Sequence, residues 1–198
     1  MPDPVRRESP LADRMPRSSA VADSRTADVI VSEHPFLGHI NLRGDPASAV
    51  FCHAVRSALG CPPPMEPNTF VDAKSMRACW LGPNEWLVIC DGENERTLAD
   101  SLRSALSGQV AAVTEVSSGQ TVVGLSGRRA IDLLAKGCPL DLHPRVFGPG
   151  RCAQTYIARA DALIIQTSAS PSFELVVRRS YADYFWLWLT NAAAEYLT

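Results

Sequence analysis

Cys138, His143 and Cys152 lie close together in a proline- and glycine-rich stretch, and are the residues of this 198-residue chain most easily imagined around a zinc ion. Structural zinc is held by tetrahedral sets of four thiolates and imidazoles, usually in paired C-x-x-C spacings. These three have neither that pairing nor an evident fourth ligand, so two packed cysteines flanking a loop histidine is the better reading. Glu115 begins a short Glu-Val-Ser-Ser turn and could present a carboxylate beside a cleft. A solvated acid at a strand end is the commoner meaning. Trp80 and Trp86 flank LGPNE and could stack a flat ligand, although tryptophans at alternating strand positions more often serve a core or an interface. Among His34, His39 and His53, none has the setting of a base; His53 falls between core positions of a helix, at its rim. No activating neighbour is visible near Cys79 or Cys90. The patterns G-x-S-x-G, G-x-x-x-x-G-K-[ST] and G-x-G-x-x-G are absent, which removes the hydrolase, P-loop and dinucleotide readings. No catalytic, cofactor-binding or metal-ligating residue is assigned.

Composition narrows the field further. Hydrophobic residues make up 46% and charged residues 20%, as in an ordinary globular protein. A net charge of −2 supplies no field toward nucleic acid or an anionic membrane. Arginine outnumbers lysine 17 to 2, which genome composition explains more cheaply than phosphate binding does. Of the six cysteines, Cys52, Cys79 and Cys90 sit inside apolar patterns, where a free thiol acts as a small hydrophobe. There is no secretory signal, and no apolar run approaches the roughly 18 residues of a membrane span. The expectation is a reduced, cytoplasmic protein with no nucleic-acid or membrane partner.

Residues 1–28 mix prolines, arginines and acids with almost no apolar pattern and read as a flexible arm. From Val29 on, an ordered α+β domain of residues 29–198 is expected. Phe36–Leu42 reads as a strand. Asp45 as N-cap, Pro46 at the first helical position and Gly60 as the stop then bound a helix carrying Phe51, Val55 and Leu59. Ala78–Leu81 and Glu85–Cys90 make two strands. A second helix carries Leu98, Leu102, Ala105 and Leu106, and Val110–Val116 is the next strand. Gln120–Leu125 is β-branched, and Arg128–Lys136 is a short helix with Gly137 as a left-handed stop. Tyr156–Gln166 and Phe173–Val177 follow as strands. Ser180 with Asp183 resembles a capping box, opening a final helix whose stripe is Tyr181, Tyr184, Phe185, Trp188 and Leu189.

Two stretches echo each other. LRGDPASAV at 42–50 and LSGRRAIDL at 125–133 each follow a strand and open a helix, while EWLVI at 85–89 and FELVV at 173–177 each feed one. The spacing implies two related β-α-β-β-α-β halves with antiparallel sheets, about 29–108 and 109–198.

The segments CWLGPNEWLVI, VSSGQTVVGLSGRRAIDLLAKGCPLDLHPRVFGPGRCAQT and FELVVRRSYADYFWLWL, together with ESPLADR near the start, resemble the gamma subunit of heterotetrameric sarcosine oxidase. The resemblance runs from about Glu8 to the C-terminus. It implies a fold similar to the aminomethyltransferase (glycine-cleavage T-protein) domains, in agreement with the two halves. It implies alpha, beta and delta partner subunits, with FAD, FMN, NAD and tetrahydrofolate held by subunits other than this one. The complex it implies demethylates sarcosine to glycine, makes hydrogen peroxide and passes the one-carbon unit to tetrahydrofolate. On this reading the chain is a non-catalytic subunit whose partner contacts are the arm (Pro10, Leu11, Arg14), the loop 138–151 (His143, Arg145, Phe147, Arg151) and Trp186 on the last helix. The alternative is a stand-alone folate-binding or aminomethyltransferase-like protein, for which Glu115 and Trp80 would have to meet in one cleft.

Overall fold

A strand that is apolar on both faces has to lie between two layers. In β5 (Glu85–Cys90), Trp86, Val88 and Cys90 point one way and Leu87 and Ile89 the other, and all five are buried. The computed structural model describes residues 7–14 and 28–196. It places β5 in an antiparallel sheet of order β3 (Phe70–Ala73), β4 (Met76–Gly82), β5, β2 (Gly38–Arg43), β6 (Ala112–Glu115). A second antiparallel sheet has the order β8 (Cys152–Ile157), β9 (Ala160–Ser168), β10 (Ser172–Arg178), β7 (Gln120–Ser126), β1 (Ile30–His34). Helices α1 (Ala49–Leu59) and α2 (Glu95–Ala105) cover the outer face of the first sheet, packing Phe51, Val55, Leu98 and Leu102 onto Ile40, Leu42, Trp86 and Val88. Helices α3 (Ala130–Ala135) and α4 (Ala182–Ala193) do the same for the second sheet, with Leu133, Leu134, Phe185 and Leu189 on Val123, Leu125, Leu175 and Val177. The inner faces meet through Cys79, Leu87 and Ile89 on one side and Val122, Leu163, Ile165 and Val176 on the other. The layers are therefore helix, sheet, sheet, helix. No helix among the described residues is long and apolar enough to cross a membrane.

Both sheets repeat one strand order, but their edges are exchanged. β1 precedes β2 in sequence yet pairs with β7, and β6 precedes β7 yet pairs with β2. Two short segments, 35–37 and 116–119, consequently cross from one sheet to the other. Each sheet also carries one strand more than the echo implied. The stretch expected as a single strand over Tyr156–Gln166 is the hairpin β8–β9, turning at Ala158 with φ 54°. Neither Ala158 nor Arg159 carries a turn signal, so the reversal is set by pairing and not by local preference.

Several local expectations are corrected. The N-cap of α1 is Ser48, whose Oγ accepts the Phe51 N–H at 3.3 Å, while Asp45 closes a turn one step earlier by accepting the Ala47 N–H. Gly137 is not a left-handed stop: it is absent from the positive-φ positions, and a Cβ there would lie 2.5 Å from the Trp188 ring. Ser180 and Asp183 form no capping box; α4 starts from a 3-10 turn at Arg179–Tyr181 with no side-chain cap, and Asp183 pairs with Arg14 at 2.6 Å. The buried stripe of α4 is Ala182, Phe185, Trp186, Leu189 and Ala193, leaving Tyr181 and Tyr184 exposed. Two small alanines let that face approach the sheet more closely than a tyrosine face could.

Within the expected arm of residues 1–28, residues 1–6 and 15–27 lie outside the described residues. The part described, 7–14, is a turn seated on the chain's own core. Leu11 is 0% exposed, packed with Val29 and the α4 side chains. Ser9 Oγ donates to the Glu33 carboxylate at 2.6 and 2.5 Å, and Arg179 donates to the Glu8 carbonyl at 3.0 Å.

Candidate functional site

The crossing segments 35–37 and 116–119 pass side by side, and polar residues gather where they do. In β2, Ile40 and Leu42 face the helices, so the alternate positions His39 and Asn41 face the other sheet. His39 is 1% exposed. Its backbone is held by the second crossing segment: its N–H donates to Ser117 Oγ at 2.7 Å, and its carbonyl accepts the Val116 N–H at 2.8 Å. Ser117 Oγ in turn donates to Glu95 at the start of α2. The ring has no such anchor, since neither Nδ1 nor Nε2 meets a hydrogen-bonding partner among the described residues. Burial lowers the His39 pKa to about 4, which leaves a neutral imidazole with one donor and one acceptor. A cavity of about 360 Å³ lies beside this segment, walled by Ser117, Ser118, Gln120 and Thr121 together with Glu8, Glu95, Arg7, Pro10 and Arg179, while the nitrogens of the His39 ring stay buried away from it. Behind the wall, Glu33 is 8% exposed and is satisfied by Ser9 and by Thr121 Oγ at 2.7 Å.

On the other side of Ser118 and Gln120 the sheets splay into an open cleft of about 830 Å³, lined by Asn41, Glu85, Thr114, Tyr156, Asp161 and Arg178 among others. Glu115 reaches its rim, but its carboxylate turns to Arg103 of α2 at 2.8 Å. Trp80 packs on the helix-facing core of the first sheet with Trp86. The carboxylate and the aromatic expected to share one cleft therefore do not meet there. The sheets are also tied by an ion pair across the inner layer: Arg77 of β4 donates to Glu174 of β10 at 2.5 Å, to Asp72 at 2.7 Å, and stacks 4.6 Å over Phe70. Burial works against the Arg77 charge, yet Asp72 and Glu174 more than offset it and raise its pKa.

The three residues imagined around zinc point to different places. Cys138 touches Thr155, His143 is exposed with Nδ1 accepting the Arg145 N–H, and Cys152 lies between the sheets beside Cys79. All six cysteines are free, and burial pushes the Cys79 thiol well above its ordinary range. Of the residues expected at a partner interface, Arg14, His143 and Arg145 are exposed, and Pro10 and Arg151 are half-buried, with Arg151 paired to Glu66 at 2.9 Å. Leu11, Phe147 and Trp186 are corrected: at 0%, 7% and 7% exposure they belong to this chain's own second core and present no surface. The outer face of α4 instead shows Tyr184 and Leu187, the latter 47% exposed.

His39 carries no signal that separates it from a solvent-facing strand residue. What buries it is the second sheet, and pairing between distant strands leaves no mark on the residues of GHINL.

Comparison with known proteins is consistent across sequence and structure. The profile of the family described as "Sarcosine oxidase, gamma subunit family" matches residues 43–195. The sarcosine oxidase subunit gamma of Arthrobacter sp is 34% identical over 182 residues, covering 90% of this chain and 87% of that protein. A chain of the heterotetrameric sarcosine oxidase from Corynebacterium sp. U-96 superposes with a TM-score of 0.85 at 30% identity, covering 97% of each chain. The glycine cleavage system aminomethyltransferase T from Bartonella henselae superposes at 0.63 with 14% identity, over 84% of this chain and 46% of that one, and shares the fold alone.

Proposed function

The chain belongs to the sarcosine oxidase gamma subunit family, and on that premise we propose that it is a non-catalytic subunit seated against alpha, beta and delta partners in the cytoplasm. The assembled enzyme removes the N-methyl group of sarcosine, leaves glycine, reduces dioxygen to hydrogen peroxide and hands the one-carbon unit to tetrahydrofolate. FAD, FMN, NAD and tetrahydrofolate are placed in the other subunits. The lining of the open cleft supports that division: its charged residues are Glu85, Glu115, Asp161 and Arg178, more acids than cations, which does not suit the phosphates of a flavin. The observation that carries the reading is the superposition on a chain of a heterotetrameric oxidase over nearly the whole length of both chains.

The surfaces proposed for partner contact are the outer face of α4 and the loop 138–151. Tyr184 and Leu187 give α4 an apolar centre beside Arg14, which pairs with Asp183, and the loop adds Val146, 60% exposed, with His143, Arg145 and Arg151 as its polar groups. The test is purification of the tagged chain from its native cell, followed by native mass and a visible absorption spectrum. A yellow complex with three companions in equal amounts supports the role, and a colourless monomer refutes it. Leu187→Asp should leave the isolated chain within about 0.5 kcal/mol of wild type, being a surface change, while reducing recovery of the partners. Full recovery of the partners would remove α4 from the contact surface.

A further inference from the structure

We propose that Cys79 and Cys152 are a peroxide-sensitive dithiol, which hydrogen peroxide converts to a disulfide joining the two sheets. The inference concerns this chain's own chemistry and stands whether or not the subunit role holds.

The two thiols come from different halves of the chain and meet in the inner layer, both 0% exposed or nearly so. Backbone pairing brings them together. Phe70 of β3 lies opposite Cys79 of β4, and the residues around Phe70 also pair with the start of β8, in the other sheet. The Phe70 N–H donates to the Gly150 carbonyl at 3.1 Å, and the Cys152 N–H donates to the Asn68 carbonyl at 3.0 Å. The Thr69 carbonyl accepts the Trp80 N–H at 2.9 Å and the Cys152 thiol at 3.2 Å, so one oxygen is held by both cysteine-bearing strands. Two residues further on, Gln154 Nε2 donates to the Leu81 carbonyl at 2.9 Å. β4 and β8 are thus fastened on either side of the pair, and the two thiols are hydrogen-bonded neighbours. The other four cysteines belong to the two helix-facing cores.

Their settings give the two thiols different tasks. The Cys79 thiol donates to Cys152, and Arg77 and Arg151 lie near, so Cys152 is the stronger acid despite its burial. Burial and the neighbouring Cys152 keep Cys79 protonated. The Cys152 thiolate attacks one peroxide oxygen and the O–O bond breaks. The leaving hydroxide takes the proton that Cys152 gave up, which yields water and a sulfenic acid. The Cys79 sulfur then attacks the Cys152 sulfur; the S–O bond breaks, and hydroxide leaves with the Cys79 proton as the second water. Two thiols and one peroxide thereby become one disulfide and two waters. Peroxide is close to water in size and arrives through the open cleft. Leu81 and Gln154, which follow Cys79 and Cys152 by two residues on the same strand faces, line that cleft.

The test treats the folded full chain with hydrogen peroxide, unfolds it in iodoacetamide and maps its peptides without reductant. The expected result is a linked peptide joining Cys79 to Cys152, abolished by dithiothreitol, with the other four cysteines alkylated. Cys79→Ser should leave Cys152 as a sulfenic acid trapped by dimedone, and Cys152→Ser should leave Cys79 alkylated. As a second readout, peroxide should raise the thermal midpoint of the wild type, because the cross-link restricts the unfolded chain. Dithiothreitol should reverse that rise. The map of the wild type decides by itself where a variant does not fold. The proposal is overturned if Cys79 and Cys152 stay fully alkylatable after peroxide, or if either links to a different cysteine. It is equally overturned if their link forms only when peroxide is added to the unfolded chain.

Discussion

Acidification from neutral pH should destabilise this chain through His39. The ring is 1% exposed, and burial lowers its pKa from the ordinary 6.5 to about 4. Above pH 6.5 the ring is neutral in both folded and unfolded chains and adds no pH dependence. Between about 6.5 and about 4 the unfolded chain takes up a proton that the folded chain refuses, so stability falls as the pH falls. The slope from this one group is about 1.4 kcal/mol per pH unit, and the whole effect about 3 kcal/mol, complete once the pH has passed below the folded value. Other charged and titratable groups surround the cavity, namely Arg7, Glu8, Glu33, His34, Glu95 and Arg179. Their slopes cancel when the wild type is compared with His39→Gln, which keeps a polar side chain of similar reach but does not titrate. The measurement is urea unfolding followed by tryptophan fluorescence, in small pH steps from about 7.5 to about 4. The two stability curves should run parallel above about pH 6.5 and converge or cross below it, as the wild type loses about 3 kcal/mol that the variant keeps. Curves that stay parallel throughout would mean that the folded chain protonates His39 at its ordinary pKa, and the burial argument would be wrong.

Gly137→Ala should be destabilising by about 1–3 kcal/mol, because the new Cβ would sit 2.5 Å from the Trp188 ring; a lowered thermal midpoint with altered tryptophan emission is the expected signature. Removing one member of the inner-layer ion pair, as Arg77→Met or Glu174→Gln, should cost about 2 kcal/mol. That is less than a fully buried pair loses, because both side chains keep partial contact with water. The double variant should cost less than the two single variants together, and strict additivity would show that the pair is not coupled. Leu11→Ala leaves a cavity in the second core and should cost about 2–5 kcal/mol if residues 7–14 unfold with the domain. A far smaller loss, accompanied by rapid proteolysis near residue 14, would show that the turn undocks by itself.

What could be read from the sequence, and what could not, divides along one physical line. The strands β5, β7 and β10 announce themselves because they are apolar on both faces, and α1 because an apolar four-residue repeat ends at a glycine that adopts φ 78°. These are local signals. The exchange of β1 and β6 between sheets is not local, since Ile30–His34 carries the same half-buried pattern whichever central strand it joins, and only the register with Val122–Ser126 decides. The errors on surface residues follow from the same cause. Trp186 was expected to face outward because it lies off the Tyr181–Leu189 stripe, but the sheet accepts the adjacent stripe, where Ala182 and Ala193 permit closer approach. Leu11 looked like an exposed anchor in a polar segment, yet its burial depends on a groove formed by β1 and α4, more than a hundred residues apart in sequence. His39 is the sharpest instance. In Gly38–Leu42 the apolar pair Ile40 and Leu42 is enough to explain a strand with one dry face, and the residues between them then belong to water. That inference fails only because a second sheet, delivered by the duplicated half, covers the other face. A polar residue stranded there cannot be recognised from its own neighbourhood. Its significance comes from the crossing segments that close over it, and those are assembled only when both halves have folded against each other.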